Sequence, residues 1–188
     1  MRATLKPKKC RACGVVFEPA RSMQKVCSPA CAIALNEKAK AKKAAQAQRA
    51  ERRDLRERLE KAKTRGMHLR ELQGAFNAWV RARDAGKPCI SCGRFHRGQW
   101  HAGHYRSVGS EPSLRFEPDN VHLQCQPCNT HLSGNLIPYR INLIKKIGLE
   151  RVEWLEGPHI PKKLTIAEIQ DMKQFYRAEV RRMKRGAA

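Results

Sequence analysis

The chain has 188 residues, and 39 Lys and Arg against 17 Asp and Glu give a formal net charge of +22. This excess indicates a polyanionic partner, because each phosphate that Lys or Arg neutralises releases counterions. Charge alone does not separate a DNA-binding protein from a basic RNA-binding or ribosomal-type protein. No stretch approaches the ~20 apolar residues that span a bilayer, and the first residues lack the apolar core of a secretory signal. We therefore expect no membrane partner and a reducing, intracellular compartment.

The N-terminal third is predicted to contain a small zinc finger followed by a long basic helix. Residues 1–32 hold four cysteines, a short strand candidate at 15–17 and a Ser-Pro helix start. Residues 33–66 contain neither Pro nor an aromatic residue, which is typical of an exposed helical linker, and Gly66 is predicted to break or bend this helix. Residues 1–66 carry 19 Lys and Arg against 6 Asp and Glu. This segment is predicted to lie along DNA, with a solvated spacer helix as the alternative.

Residues 67–188 are predicted to form one domain with helices at its C-terminal end. Apolar residues at helical or strand spacing, together with Gly, Pro and Thr at the expected ends, define its elements. The predicted elements are helices over 69–85, 137–147 and 165–184, and strands over 98–106 and 119–124 followed by a helix starting near Asn129. The expected fold class is α+β and mostly helical.

All eight cysteines fall in closely spaced pairs. The pairs are Cys10/Cys13, Cys27/Cys31, Cys89/Cys92 and Cys125/Cys128. In a reducing compartment this spacing favours tetrahedral zinc over disulfides, because a short turn directs both thiolates at one ion. We predict one structural zinc on the first four cysteines and a second on the last four. The alternative, buried or redox-active cysteines, requires four coincidental pairings.

Histidine and asparagine residues surround the last two cysteine pairs. His101 and His104 lie in the first predicted strand, and Asn129 directly follows the last cysteine. The two predicted strands, 98–106 and 119–124, would pair as a hairpin. If the second zinc clamps this hairpin to the following helix, the side chains of His101, His104 and Asn129 come close together. Cleavage of a phosphodiester needs a base that takes a proton from water and a cation that neutralises the phosphate. A histidine with a pKa of about 6.5 suits the first role, and a hard divalent cation needs only one or two protein ligands.

Three polar residues of this region occupy the positions of a nuclease motif. His104 ends the first predicted strand, Asn120 lies mid-motif, and Asn129 starts the expected helix. Over residues 89–135 the pattern resembles the HNH, or ββα-metal, nucleases. The resemblance implies a zinc-clamped ββα-metal core in which His104 is the general base. It also implies that Asn129 binds a catalytic Mg²⁺ or Mn²⁺ and that Asn120 braces the loop between the strands.

A wider pattern covers almost the whole chain. The paired cysteines around the motif, with Asn129 directly after the last one, are similar to the arrangement in phage Holliday-junction resolvases of the endonuclease VII type. With the N-terminal finger, the run 76–92 and the segment 132–135, the chain resembles the NinG (Rap) recombination endonucleases of lambdoid phages. This implies a phage-encoded enzyme of the bacterial cytoplasm that cleaves branched DNA, such as Holliday junctions and D-loops. Recombination-protein partners are compatible with this hypothesis, and so is a homodimer, since symmetric junction cleavage requires two active sites.

The remaining site residues carry weaker signals. In the resolvase-type pattern a metal-binding acid often lies three residues before the base, and here that position is His101, whose imidazole suits Mn²⁺ or Zn²⁺ better than Mg²⁺. We predict His101 as a second ligand of the catalytic cation. Four residues are predicted to contact DNA phosphates, with plain surface charge as the alternative for the arginines: Arg106, Arg115, His131 and Arg140.

Two other hypotheses explain part of the pattern. A non-catalytic zinc-finger protein that binds DNA or RNA accounts for the charge and the cysteines, but not for the positions of His104 and Asn129. A restriction-type or homing HNH nuclease shares the chemistry but needs a sequence-reading element, which we cannot identify in the chain.

Overall fold

The computed structural model describes residues 5–161 and 163–186, and the chain divides into two compact units, residues 1–62 and 63–188. The N-terminal unit begins with two short antiparallel strands, β1 (Lys8–Lys9) and β2 (Val16–Phe17). It continues into one long helix, α1 (Pro29–Lys61). This helix, described along its whole length, buries none of its residues. Its stability therefore comes from local helix propensity rather than from a packed face.

The predicted helical linker over 33–66 is shifted toward the N-terminus in the structure. Its helix starts at the Ser28 cap, whose hydroxyl accepts a hydrogen bond from Cys31 N at 3.2 Å. Its end comes at Lys61, and Thr64 caps the next helix. Gly66 lies inside the first turn of that next helix instead of ending the first. A threonine cap satisfies free N–H groups at a helix start, whereas a glycine within a helix costs only about 1 kcal/mol.

The C-terminal unit combines a β-hairpin with helices, which confirms the mostly helical α+β class. Its elements are α2 (Arg65–Arg83), β3 (Trp100–His104), β4 (Val121–Cys125), α3 (Leu136–Ile147), α4 (Leu149–Glu156) and α5 (Ile166–Gly186). Thr165 caps α5 as predicted, because its hydroxyl accepts from Glu168 N at 3.2 Å and the Glu168 carboxylate accepts from Thr165 N at 2.8 Å. Within residues 5–161 and 163–186, no helix has both the length and the apolar character needed to cross a bilayer.

The helix expected to start near Asn129 has a different form. Residues Pro127–His131 make a single wide π-helical turn, and the regular helix α3 begins only at Leu136. Between them Ser133 and Asn135 have φ angles of 47° and 46°, so the chain reverses before the helix. Asn129 therefore lies in the π-helical turn that follows β4, directly after Cys128 of the same turn.

Apolar clusters pack on both faces of the hairpin. On one face Val121 of β4 meets α2 and α5, where the rings of Phe76 and Tyr176 lie 5.0 Å apart. On the other face the hydroxyl of Tyr139, from α3, donates to the backbone oxygen of Gly103 at 3.0 Å. The hairpin is thus held between helices on both sides, as the side-chain alternation of a strand allows.

A buried carboxylate joins α2 to the hairpin. Asp84 accepts a hydrogen bond from Leu123 N at 3.3 Å and pairs with Arg83 at 2.7 Å and Lys146 at 3.3 Å. Burial alone would raise the pKa of Asp84, but its hydrogen bonds and the nearby cations hold that pKa well below its usual range. Asp84 is therefore charged and connects the end of α2 to β4 and to α3.

Candidate metal and catalytic site

The first four cysteines form a cluster in the N-terminal unit. Their Sγ atoms all lie within 4.8 Å of one another, with 3.6 Å between Cys13 and Cys27 and 3.5 Å between Cys27 and Cys31. Four sulfurs at ~2.3 Å from a tetrahedral zinc stand about 3.8 Å apart, so the cluster could bind structural zinc. A hydrogen bond from the Cys13 backbone lowers the pKa of Cys10 to about 6, which favours its thiolate, whereas hydrogen bonds with Cys31 and Cys13 raise the pKa of Cys27 to about 12.

The last four cysteines form a second cluster, and this one is buried. The Sγ atoms of Cys89, Cys92, Cys125 and Cys128 also lie within 4.8 Å of one another. Cys125 N donates to Cys89 Sγ at 3.3 Å, and Trp100 packs against the group. Both groupings predicted from spacing are confirmed as clusters that could bind structural zinc.

Two polar side chains contact the sulfurs of the second cluster, and the sequence patterns did not predict either contact. Nε2 of His96, a loop residue without a predicted role, lies 3.2 Å from Cys92 Sγ. Nδ2 of Asn135 donates to Cys128 Sγ at 3.4 Å. Such partners orient metal ligands and tune the metal. Neither residue has the spacing of a metal motif, so only the folded chain reveals them.

His101 and Asn129, predicted as ligands of the catalytic cation, are in contact. Nδ2 of Asn129 lies 2.9 Å from Nδ1 of His101. Because an amide NH₂ group only donates, this Nδ1 carries the lone pair of the imidazole. The side-chain oxygen of Asn129 lies near Gly103, 3.0 Å from the position that a Cβ would take there. Strand β3 and the π-helical turn thus bring one imidazole and one amide oxygen together.

His104 is the last residue of β3, and its side chain points to the opposite face of the hairpin from that of His101. Side chains alternate along a strand, and His104 pairs with Val121, which belongs to the α2–α5 cluster. The expectation of one cluster of His101, His104 and Asn129 is therefore corrected, since His104 does not share the face of the other two. It is nevertheless the chain neighbour of Gly103, against which the Asn129 oxygen lies.

The ring of His104 is fixed through one nitrogen. Its Nε2 lies 3.0 Å from the backbone oxygen of Arg115. A carbonyl oxygen only accepts, so Nε2 carries the hydrogen and Nδ1 carries the lone pair. Burial lowers the pKa of His104 below its usual value of about 6.5. At neutral pH the ring is thus uncharged and in a defined tautomer, which is the state that a general base needs.

Asn120 is fully buried beneath the loop that joins the two strands. Its Oδ1 accepts from Arg106 N at 2.8 Å, and its Nδ2 donates to the backbone oxygens of Arg106 at 3.0 Å and Leu114 at 3.1 Å. These bonds hold both ends of the loop from which Arg115 reaches His104. Asn120 therefore positions the anchor of the histidine ring.

Comparisons with known proteins give matches that cover almost the whole chain. A sequence model of the family described as "Bacteriophage Lambda NinG protein" matches residues 2–186. The chain belongs to the NinG family. It is 39% identical over 188 residues to the protein ninG of Escherichia phage 933W, with 94% of each chain covered. It is 38% identical over 183 residues to the ninG proteins of Escherichia phage lambda and Salmonella phage P22, with 92% of this chain and 90% of each relative covered. No solved structure matches significantly.

Two of the predicted DNA contacts in this NinG-family chain are engaged within the protein. Arg140 holds the carboxylate of Glu156 through Nε at 2.7 Å and through a second nitrogen at 3.0 Å. Arg115 donates from Nε to Gln73 at 2.7 Å. Since two nitrogens of Arg140 already face a carboxylate, its fork is not free for a phosphate in this conformation.

The other two predicted DNA contacts, Arg106 and His131, differ from these two arginines in their surroundings. His131 is exposed at the end of the π-helical turn. Nε of Arg106 is buried and finds no acceptor among the residues that the structure describes. Because this N–H is buried, it does not itself offer a surface contact to a phosphate in the described conformation. Arg106 and His131 stay predicted phosphate contacts.

His122, a buried histidine of β4, has a structural role. Its Nδ1 lies 3.0 Å from a nitrogen of Arg83 and 2.8 Å from Lys146 Nζ, and its Nε2 lies 3.0 Å from Asp119 O. Arginine and lysine only donate, so Nδ1 accepts and Nε2 donates. Every ring nitrogen is satisfied internally, and burial lowers the pKa of His122, so the ring is neutral.

Proposed function

We propose that this NinG-family chain is a metal-dependent, structure-specific DNA endonuclease of the HNH type. Its substrates would be branched recombination intermediates such as Holliday junctions and D-loops. The observation that carries the proposal is the state of His104, whose Nε2 is held by Arg115 O at 3.0 Å while burial lowers its pKa. Nδ1 is thereby prepared to take a proton at neutral pH.

His101 and Asn129 would hold the catalytic cation, either Mg²⁺ or Mn²⁺. The amide oxygen of Asn129 is a hard ligand, and Gly103 leaves room beside it because a Cβ there would approach that oxygen to 3.0 Å. The imidazole of His101 is a softer ligand, so the pair would suit Mn²⁺ at least as well as Mg²⁺. The lone pair of His101 Nδ1 accepts from Asn129 Nδ2, so His101 would bind the cation only after this hydrogen bond breaks. Such a cation, when bound, neutralises charge on the phosphate and on the departing oxygen.

The reaction would be hydrolysis of one phosphodiester bond. Nδ1 of His104 would accept a proton from the attacking water, whose oxygen bonds to phosphorus as the bond to the departing 3′ oxygen breaks. The hydrogen bond from Nε2 to Arg115 O would hold the ring and stabilise the imidazolium that forms. Asn120 would maintain this arrangement by bracing the loop that carries Arg115.

The basic N-terminal segment would supply much of the affinity for DNA. Residues 1–66 carry 19 Lys and Arg against 6 Asp and Glu, and α1 buries none of its residues. Binding should therefore weaken steeply with salt, with a log–log slope of roughly −0.9 for each phosphate neutralised. Action in the cytoplasm of a bacterial host, a homodimer and recombination-protein partners belong to the same proposal.

The proposal is tested by cleavage of matched linear, flap and four-way-junction DNA with Mg²⁺ or Mn²⁺. The wild-type chain should nick the branched substrates and leave the linear duplex largely intact. Tight binding without cleavage under either cation would favour the non-catalytic zinc-finger alternative. Equal cleavage of all three substrates would retain the nuclease but remove the preference for branches.

A further inference from the structure

Gln124 is a buried polar residue of β4 with no assigned role. It lies directly opposite His101 in the hairpin, and its side chain is fully buried. Its Nε2 donates to Ser91 Oγ and to Gly134 O, both at 2.6 Å. Because the oxygen of Gly134 can only accept, the atom that faces it is the amide nitrogen. The orientation of the amide is thereby defined, and Oε1 points the other way.

The oxygen of this amide is left without a partner. Oε1 of Gln124 is buried and accepts no hydrogen bond from any residue that the structure describes. A buried acceptor without a donor costs about 1–3 kcal/mol, so such an atom calls for an explanation. It lies against Gly103, where a Cβ would come within 1.9 Å of it. Only glycine admits this approach.

The same glycine faces the oxygen of Asn129. The Cβ position at Gly103 is 1.9 Å from Gln124 Oε1 and 3.0 Å from Asn129 Oδ1, which places the two oxygens within about 5 Å of each other. Two oxygens bound to one hard cation at roughly 2.1 Å stand about 3–4 Å apart. A shared cation would explain the convergence of the two oxygens, the missing donor and the need for glycine.

We propose that Gln124 supplies, through Oε1, a further oxygen ligand to a small divalent cation held by Asn129. This inference rests on the proposed function for the role of the cation, but binding is measured separately from cleavage. The amide oxygens of Gln124 and Asn129 are both uncharged, so a cation held by them would keep its full double charge. A phosphate would then experience stronger attraction than at a site neutralised by carboxylates.

The test measures Mn²⁺ binding to the full-length, zinc-loaded chain without DNA, by the loss of the free-Mn²⁺ electron paramagnetic resonance signal. Gln124→Met removes the oxygen at similar volume, and Gln124→Glu keeps an oxygen; both remove the amide donor to Gly134. Gln126→Met, two residues along the chain, is the matched control. We expect about 10-fold to 100-fold weaker Mn²⁺ binding in Gln124→Met, and no change in Gln126→Met. Gln124→Glu should bind Mn²⁺ at least as well as wild type.

A purely structural role for Gln124 gives a different pattern, because both variants lose the same donor. Gln124→Glu would then bind Mn²⁺ as poorly as Gln124→Met, which overturns the inference. Wild-type affinity in Gln124→Met overturns it too, and cleavage by the wild-type chain would then leave the proposed function intact. If the wild-type chain neither binds Mn²⁺ nor cleaves DNA, the proposed function fails as well. Should Gln124→Met lose zinc and fail to fold, the comparison of Gln124→Glu with wild type still decides.

Discussion

The two four-cysteine clusters share a metal chemistry but differ in what surrounds them. In the N-terminal unit Cys13 is exposed, and the strands beside the cluster are two residues long each. In the C-terminal unit Cys89 and Cys125 are at most 1% exposed, and the cluster joins a hairpin packed between helices. Zinc at the first site would organise a finger with little core of its own, whereas zinc at the second would complete a packed domain.

The largest effect should follow loss of the second cluster. Cys125→Ser should lower zinc from two ions to one per chain and unfold the C-terminal unit, because structural zinc contributes about 10–16 kcal/mol in small domains. Loss of the near-ultraviolet circular dichroism of its aromatic core would report the unfolding, and cleavage should disappear with it.

The matched change in the first cluster should be local. Cys13→Ser should also remove one zinc, but the C-terminal unit should melt as in the wild-type chain, since its clusters of buried residues lie within 63–188. If both variants lost the C-terminal unit equally, the contrast between the two clusters would be refuted.

A smaller effect is expected at the loop that anchors His104. Asn120→Ala removes three hydrogen bonds of a fully buried amide and should destabilise the C-terminal unit by about 2–4 kcal/mol. Urea unfolding measures this change. Asn36→Ala, at an exposed position of α1, is the control and should stay within about 0.5 kcal/mol of wild type. A loss below about 1 kcal/mol for Asn120→Ala would contradict its bracing role.

The smallest effect is expected at Arg140, where a sequence prediction and the structure diverge. Arg140 pairs with Glu156 at 2.7 Å near the surface, where solvent screens the pair, so Arg140→Ala should lower the thermal stability of the C-terminal unit only slightly. Because the guanidinium is already engaged, DNA affinity should change little. Titration of binding against salt decides: a slope reduced by about 1 would identify a phosphate contact after all.

Features with local signals were predictable from the sequence. Short cysteine spacing identified both clusters, the Thr165 cap identified the start of α5, and alternating residues located the strands that became Trp100–His104 and Val121–Cys125. Each of these signals depends on residues a few positions apart, where geometry follows from the chain itself.

Features set by distant contacts were not predictable. The carboxylate of Glu156 reaches Arg140 from another helix, and Gln124 meets Ser91 across 33 positions. The π-helical turn at Pro127–His131 was also not predicted, because its shape depends on the second cysteine cluster and on the turn residues after it rather than on helix propensity. The opposite faces of His101 and His104, in contrast, follow from their separation of three residues in a predicted strand, where side chains alternate.

The most direct test of the nuclease proposal is the pH dependence of single-turnover junction cleavage by the wild-type chain and His104→Ala. Burial lowers the pKa of His104, so the ring stays able to accept a proton until the pH falls below that lowered value. Wild-type cleavage should therefore be lost on the acid side with a midpoint below about 6.5. His104→Ala should bind the junction normally, cleave about 10²-fold to 10⁴-fold more slowly and lack this acid limb. Cleavage by His104→Ala at the wild-type rate would contradict the role of His104 as the base.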